Sequence, residues 1–240
     1  MSGGWTYAHG VHPGSGKATC QDVCAVSTCG EVLIAAVADG AGSAAHAEIG
    51  ARIVAQTFIE FGQVLLSDPT QVTALIDTIR FRVEIAAQEA GSSTEEFSST
   101  LVGAVIGPDR AAFLQVGDGA AMISDASGLR VAIEPEVCEF VNSTRFVTSP
   151  RALEYARYVQ LDGATESVAL FSDGLQHLLL DAKNEPHRPF FDAAFRSLRG
   201  HEAFDLRASA WVEQTLGSDP VVRRTDDDTS LVIARRLRLE

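Results

Sequence analysis

The hydrophobic patterning predicts an α+β fold with largely antiparallel sheets and helices covering their outer faces. Three observations carry this. Short apolar runs come in pairs joined by tight links, at 22–38, 98–116 and 120–133. Two long amphipathic patterns follow one another directly, from Ala47 and from Pro69, where a doubly wound parallel sheet would separate its helices by strands. A chain of 240 residues, 46% apolar and 21% charged, supplies one sizeable core. It reads as one domain over 1–240, with no repeat or linker.

Asp22 to Ser27 and Val32 to Ala38 flank Thr28-Cys29-Gly30-Glu31, a short Gly-containing link suited to a hairpin. From Ala47, the positions Ala47, Gly50, Val54, Phe58, Phe61 and Leu65 recur at steps of three and four. They predict one buried helix stripe, widened by Ile49 and Ile53. Asp68-Pro69 restarts a helix, an oxygen-bearing cap followed by a residue with preset φ and no amide hydrogen to satisfy. Its apolar face is Val72, Leu75, Ile76, Ile79, Val83, Ala86 and Ala90, and Gly91 stops it. Strands follow at 98–106 and 111–116 around Gly107-Pro108-Asp109-Arg110, then at 120–124 and 129–133 around Ser127-Gly128. Residues 134–165 are weakly periodic, broken by Pro135 and Pro150, and read as a surface excursion. Val168 to Ser172 is a short buried strand running into a helix near Leu175. Glu202 to Leu216 is a helix with Phe204, Ala208, Trp211 and Val212 on one side, and Thr229 to Ala234 closes the chain as a strand.

Nineteen Lys and Arg against thirty-two Asp and Glu give a net charge of −13, which repels phosphate backbones and argues against nucleic acid as a partner. The longest uninterrupted aliphatic run, Val32 to Ala38, is far below the roughly 20 apolar residues of a membrane helix, so no membrane association is expected. The start, MSGGWTYAHG, lacks the basic and apolar regions of a secretory signal, and four unevenly spread cysteines do not make a disulfide framework. Both point to the cytoplasm.

Three apolar strands run into Asp-Gly, at Asp39-Gly40, Asp118-Gly119 and Asp173-Gly174. Asp-Gly by itself is turn chemistry, and that reading is strongest for Asp118, which lies between two short strands as in a hairpin. Asp39 and Asp173 differ, because each ends an apolar strand that feeds a helix, where sites are built. Asp22 at the edge of the first hairpin and Asp226-Asp227-Asp228 ahead of the last strand add further acids at strand ends. Carboxylates gathered without a cation raise one another's pKa and weaken the fold; hard divalent ions resolve the conflict. Oxygen-only ligands select Mg²⁺ or Mn²⁺ over zinc, and Gly40 lets its own carbonyl approach an ion closely.

In this order, Lys17-x-x-x-Gln21-Asp22, Val37-Ala38-Asp39-Gly40, Ser99-Thr100-Leu101, Val116-Gly117-Asp118, Phe171-Ser172-Asp173-Gly174 and Asp226-Asp227-Asp228-Thr229 resemble the metal-dependent serine/threonine protein phosphatases of the 2C type. The segment Asn142 to Thr148 resembles a compact bacterial branch of that family. The resemblance implies an α-β-β-α sandwich and hydrolysis of phosphoserine and phosphothreonine by a hydroxide bridging two divalent ions, Mn²⁺ or Mg²⁺. It implies that Asp39 bridges both ions, Gly40 contributes a backbone oxygen, and Asp173 and Asp226 complete the ligands. Asp22 would act through water, Asp118 would sit near a looser third ion, and Lys17 would hold the substrate phosphate where the family commonly has Arg. A phosphoprotein substrate follows, and a cognate serine/threonine kinase is an expectation from the family.

This chain departs from the pattern at Gln21, where Glu is more familiar, at Ala41, where the family often has a His, and at Gly119-Ala120, where Ser-Arg is common. Gln21 and Ala41 favour a competing reading, a catalytically weak or inactive binding module for a kinase or phosphoprotein. Gly14-Ser15-Gly16-Lys17 fails the phosphate-loop pattern twice, at Val11 and Ala18. His9, His12, Cys20 and Cys24 are loosely spaced for structural zinc, but Cys29 and a strand setting favour small buried thiols.

Overall fold

The computed structural model describes residues 4–136, 144–199 and 202–237. Two five-stranded sheets stack face to face, and every pairing within them is antiparallel. One contains, in spatial order, β1 (Trp5–His12), β10 (Thr229–Arg236), β9 (Ser167–Phe171), β6 (Ala120–Asp125) and β7 (Gly128–Ile133). The other contains β2 (Val23–Cys29), β3 (Val32–Ala38), β4 (Leu101–Ile106), β5 (Arg110–Val116) and β8 (Arg157–Asp162). Helices α1 (Ala47–Phe61) and α2 (Val72–Ala90) cover the second sheet, and α5 (Arg188–Ser197) and α6 (Leu206–Leu216) cover the first. The short helices α3 (Ala152–Tyr155), α4 (Gln176–Leu179) and α7 (Asp219–Val222) complete the set.

The unbroken apolar run of β3 follows from this layering. Successive side chains of a strand point to opposite faces, and here both faces are covered. Leu33, Ala35 and Val37 pack between the sheets with Val102, Phe113, Val168 and Val232. Ile34, Ala36 and Ala38 pack outward against Val54 and Phe58 of α1 and Ile76 and Ile79 of α2. Gly103 lets the Phe58 ring lie flat on β4, since a Cβ there would stand 2.3 Å from the ring. Asp68 caps the turn entering α2 by accepting the Thr70 amide, and Gly91 closes that helix at φ 62°. Both ends are where the cap and stop residues predict.

Several expectations change. The α1 stripe is narrower than the pattern predicts: Ile49 and Phe61 are exposed, and the Arg82 guanidinium lies over the Phe61 ring. Ala47–Leu66 is long and apolar enough by length and composition to cross a membrane. It packs its inner side on β2 and β3 as a core helix does. Residues 134–165 are not merely a surface excursion. They contain β8, paired with β5 along all six of its residues, and the buried Val147, Thr148 and Ala152. Helix α6 starts at Leu206, because Asp205 takes the cap by accepting the Arg207 and Ala208 amides. Phe204 therefore lies before the helix, against Tyr7 of β1.

The largest correction concerns Asp118. Strands β5 and β6 belong to different sheets, so Gly117-Asp118-Gly119 is a crossover between them and not a hairpin turn. Gly117 sits at φ 112°, and a Cβ on Gly119 would come within 2.8 Å of the Phe171 carbonyl.

Candidate metal centre

Antiparallel order brings the start of β2, the end of β3, the end of β5, the start of β6, the end of β9 and the start of β10 to one edge of the sandwich. The acids found at those strand ends therefore meet. Asp39, Asp118 and Asp173 each offer an oxygen, and the three oxygens lie within 4.8 Å of one another. Asp39 is held by its own backbone: its amide donates to Thr100 Oγ1 at 3.1 Å, and its carbonyl accepts the Thr100 amide at 2.8 Å. The Thr144 hydroxyl donates to Asp118 at 3.2 Å. Asp22, 3% exposed, accepts the Ser230 hydroxyl at 2.7 Å, and its charge acts on Asp39.

Glycines permit the approach. A Cβ on Gly174 would lie 2.1 Å from the Asp228 carbonyl, and one on Gly40 would lie 2.8 Å from the Gln21 and Ala47 carbonyls. The Asp-Gly pairs at 39 and 173 are thus packing requirements of this edge and not free turns.

The electrostatics are those of an uncompensated anion cluster. Burial raises the Asp39 carboxyl well above its ordinary range, and the charges of Asp22, Asp173 and Asp227 add to it. Burial and the charges of Asp118, Asp227 and Asp22 push Asp173 up to about 7. Burial also raises Asp22 and Asp118. One oxygen each of Asp22, Asp118 and Asp173 is buried with no hydrogen-bond partner. Such orphaned acceptors cost roughly 1–3 kcal/mol apiece, and more when charged.

The triple acid divides its labour. Asp228 is 1% exposed and accepts the Gly14 and Gln21 amides, both at 2.7 Å, which ties the 14–21 loop to the start of β10. Asp227 supplies the charge felt by Asp39, Asp118 and Asp173. Asp226, the member expected among the ligands, is exposed and lies outside the cluster; its main-chain carbonyl packs against Gly14 instead. The physical reason is register. With Thr229 paired to His12 and Asp228 turned inward as an anchor, Asp227 faces the acids and Asp226 faces solvent. Lys17 Nζ lies 2.7 Å from Asp227 and 3.4 Å from Asp228. Burial alone would lower its pKa, but the hydrogen bonds and charges of those two acids raise it.

Sequence reasoning missed Asp227, Asp228, Thr144 and Ser230. Only the apolar run after Asp228 hinted that one of the three acids is pinned. Asn142 and Ser143, the first two residues of the segment that resembles the bacterial branch, lie outside the described residues, as does Cys138. Within the rest of that segment the Val147 amide donates to the Ser99 carbonyl at 2.9 Å, bracing the start of β4. His46 packs its ring on Phe97 at 4.8 Å, a structural place.

A set of buried carboxylates with one lysine at its rim, carried by two stacked antiparallel sheets, defines the class of protein whose all-oxygen donor set suits hard divalent cations. Residues 10–217 match the family described as Protein phosphatase 2C, and the chain belongs to that family. It is 31% identical over 230 residues to Serine/threonine-protein phosphatase 3 of Escherichia coli (strain K12), covering 90% of both chains. Among solved structures, the catalytic domain of serine threonine protein phosphatase PstP in complex with 2 manganese ions aligns at TM-score 0.68 and 13% identity, over 99% of this chain and 100% of that one. PppA of Pseudomonas aeruginosa, a regulatory component of its type VI secretion system, aligns at 0.66 and 20%, over 97% and 98%. These two likenesses establish the α-β-β-α fold.

Proposed function

We propose that this chain is a metal-dependent serine/threonine protein phosphatase whose acid cluster holds two divalent cations, Mn²⁺ or Mg²⁺. The observation that carries the reading is the set of orphaned buried oxygens on Asp22, Asp118 and Asp173, which a cation satisfies and no protein donor does. All donors are oxygens, which matches hard ions of this kind. When bound, such ions supply Lewis acidity, bringing the pKa of water to about 7 and offsetting phosphoryl charge.

The chain's own residues supply the rest. Asp39, fixed by Thr100, would be the central ligand, with the charges of Asp22, Asp173 and Asp227 acting on it and Gly40 as a backbone contributor. Asp22, oriented by Ser230, serves through water. Asp118, on the crossover between sheets, borders a third and looser position. Lys17, at the rim of the cluster beside Asp227, would orient a phosphate as a point charge. No cysteine nucleophile is required. The meeting of Asp39, Asp118 and Asp173 in one cluster, with the charge of Asp227 acting on all three, favours catalysis over the non-catalytic module that Gln21 and Ala41 suggested. Cys20, Cys24 and Cys29 are free thiols, which supports a reducing, cytoplasmic setting.

Hydrolysis of a phosphothreonine peptide by the purified chain should require Mn²⁺ or Mg²⁺, stop with EDTA and vanish in Asp39→Asn and Asp173→Asn. Turnover by those variants equal to the parent would defeat the reading.

A further inference from the structure

Cys20 takes no part in the chemistry above, yet it stands against it. Its Sγ, one oxygen of Asp22 and one of Asp228 lie within 4.8 Å of one another. Asp22 and Asp228 are almost wholly buried, at 3% and 1% exposure. Each oxygen of Asp228 accepts one backbone amide, from Gly14 and from Gln21, which fixes the carboxylate and leaves it lone pairs to spare. Asp22 Oδ2 accepts Ser230, while Asp22 Oδ1 is buried without a partner. A groove of 340 Å³ reaches Cys20 and Asp22 from outside, between the edge strands β1 and β2, with His9, Glu48 and Glu213 on its walls.

We propose that Cys20, Asp22 and Asp228 form an inhibitory site for a thiophilic divalent cation of the zinc class, distinct from the Asp39–Asp118–Asp173 cluster and coupled to it through Asp22. A thiolate in the donor set selects zinc over Mg²⁺ and Mn²⁺, which the all-oxygen cluster prefers. Three protein donors leave the fourth tetrahedral position open to the groove. Ligands on a tetrahedral ion with bonds near 2.0–2.3 Å stand about 3.5 Å apart, so side-chain rotation closes the remaining distance. With the thiol ionised, the three donors carry −3; a doubly charged ion and Lys17, 3.4 Å from Asp228, balance it. Binding to the thiolate releases the Cys20 proton to solvent. Asp22 would then be committed to this ion, and its charge would no longer act on Asp39, which lowers phosphatase activity. Only this inhibitory half rests on the function proposed above.

Titration of the manganese-free chain with Co²⁺ as probe tests the site directly. A thiolate-to-cobalt charge-transfer band should appear and saturate, be displaced by Zn²⁺, disappear in Cys20→Ser and Cys20→Ala, and persist in Cys29→Ser. In the manganese-loaded enzyme, Cys20→Ser should leave turnover unchanged without zinc and raise the inhibitory Zn²⁺ concentration about tenfold or more. Absence of the band, its survival in Cys20→Ser, or equal zinc inhibition of parent and variant would overturn the proposal. Absence of manganese-dependent turnover in the parent would instead defeat the phosphatase reading, and the cobalt band would still report the site.

Discussion

Asp173→Asn should make the metal-free protein more stable while abolishing its metal-dependent activity. Asp173 rises from 3.8 to about 7 on folding because burial and the charges of Asp118, Asp227 and Asp22 oppose its ionisation. A carboxyl with greater proton affinity in the folded chain gives stability that is fully present below its unfolded pKa and is lost as pH rises through its folded one. At ~1.4 kcal/mol per factor of ten in proton affinity, the ionised carboxylate opposes folding by about 4 kcal/mol at pH 8. The same relation leaves about 2 kcal/mol at pH 5, about 0.6 kcal/mol at pH 4 and almost nothing by about pH 3. The amide is nearly isosteric and carries no charge. Thermal unfolding in EDTA at pH 8 should therefore shift upward by ~10 °C in a domain of this size, and the shift should vanish toward about pH 3. Saturating Mn²⁺ should raise the parent's midpoint and leave the variant's nearly unmoved. An Asp173→Asn protein no more stable than the parent at pH 8 without metal would refute the reasoning that these acids are held together against their own repulsion.

Asp227→Asn should remove most metal-dependent turnover while Asp226→Asn stays within about twofold of the parent, since only Asp227 faces the cluster; steady-state kinetics with a phosphopeptide compares them. Gly103→Ala should destabilise by ~1–3 kcal/mol in urea unfolding, because the new methyl lands 2.3 Å from the Phe58 ring. Asp205→Ala should cost ~2 kcal/mol by the same measurement, since this buried carboxylate accepts the Arg207, Ala208 and Arg199 amides.

The sequence was legible where local chemistry decides the outcome. Asp68-Pro69 and Gly91 bound α2 as written, and the Val32–Ala38 run names itself as a strand covered on both faces. It was less legible where distant segments decide. Strand β1, with its Tyr, Thr and His residues, has no strong apolar signal and is held by eight pairings to β10 at the other end of the chain. Strand β8 is an edge strand, only half-buried, so its alternation is faint. Asp39 and Asp173 stood out because each ends an apolar strand before a helix. Asp118 resembled a hairpin turn because β5 and β6 are neighbours in sequence, and sheet membership is not a local property. Within Asp226-Asp227-Asp228 the three side chains are chemically identical, and only the register of β10 against β1 tells anchor, site and solvent apart.

The crossover at Asp118 has a mechanical consequence. Asp118 leaves the end of β5 in one layer and Asp173 follows β9 in the other, so any ion bridging them rivets the two layers at that rim. Loading with cations would tighten the whole lip of the molecule, and amide exchange at the start of β6 and the end of β9 would slow together, long before any substrate arrives.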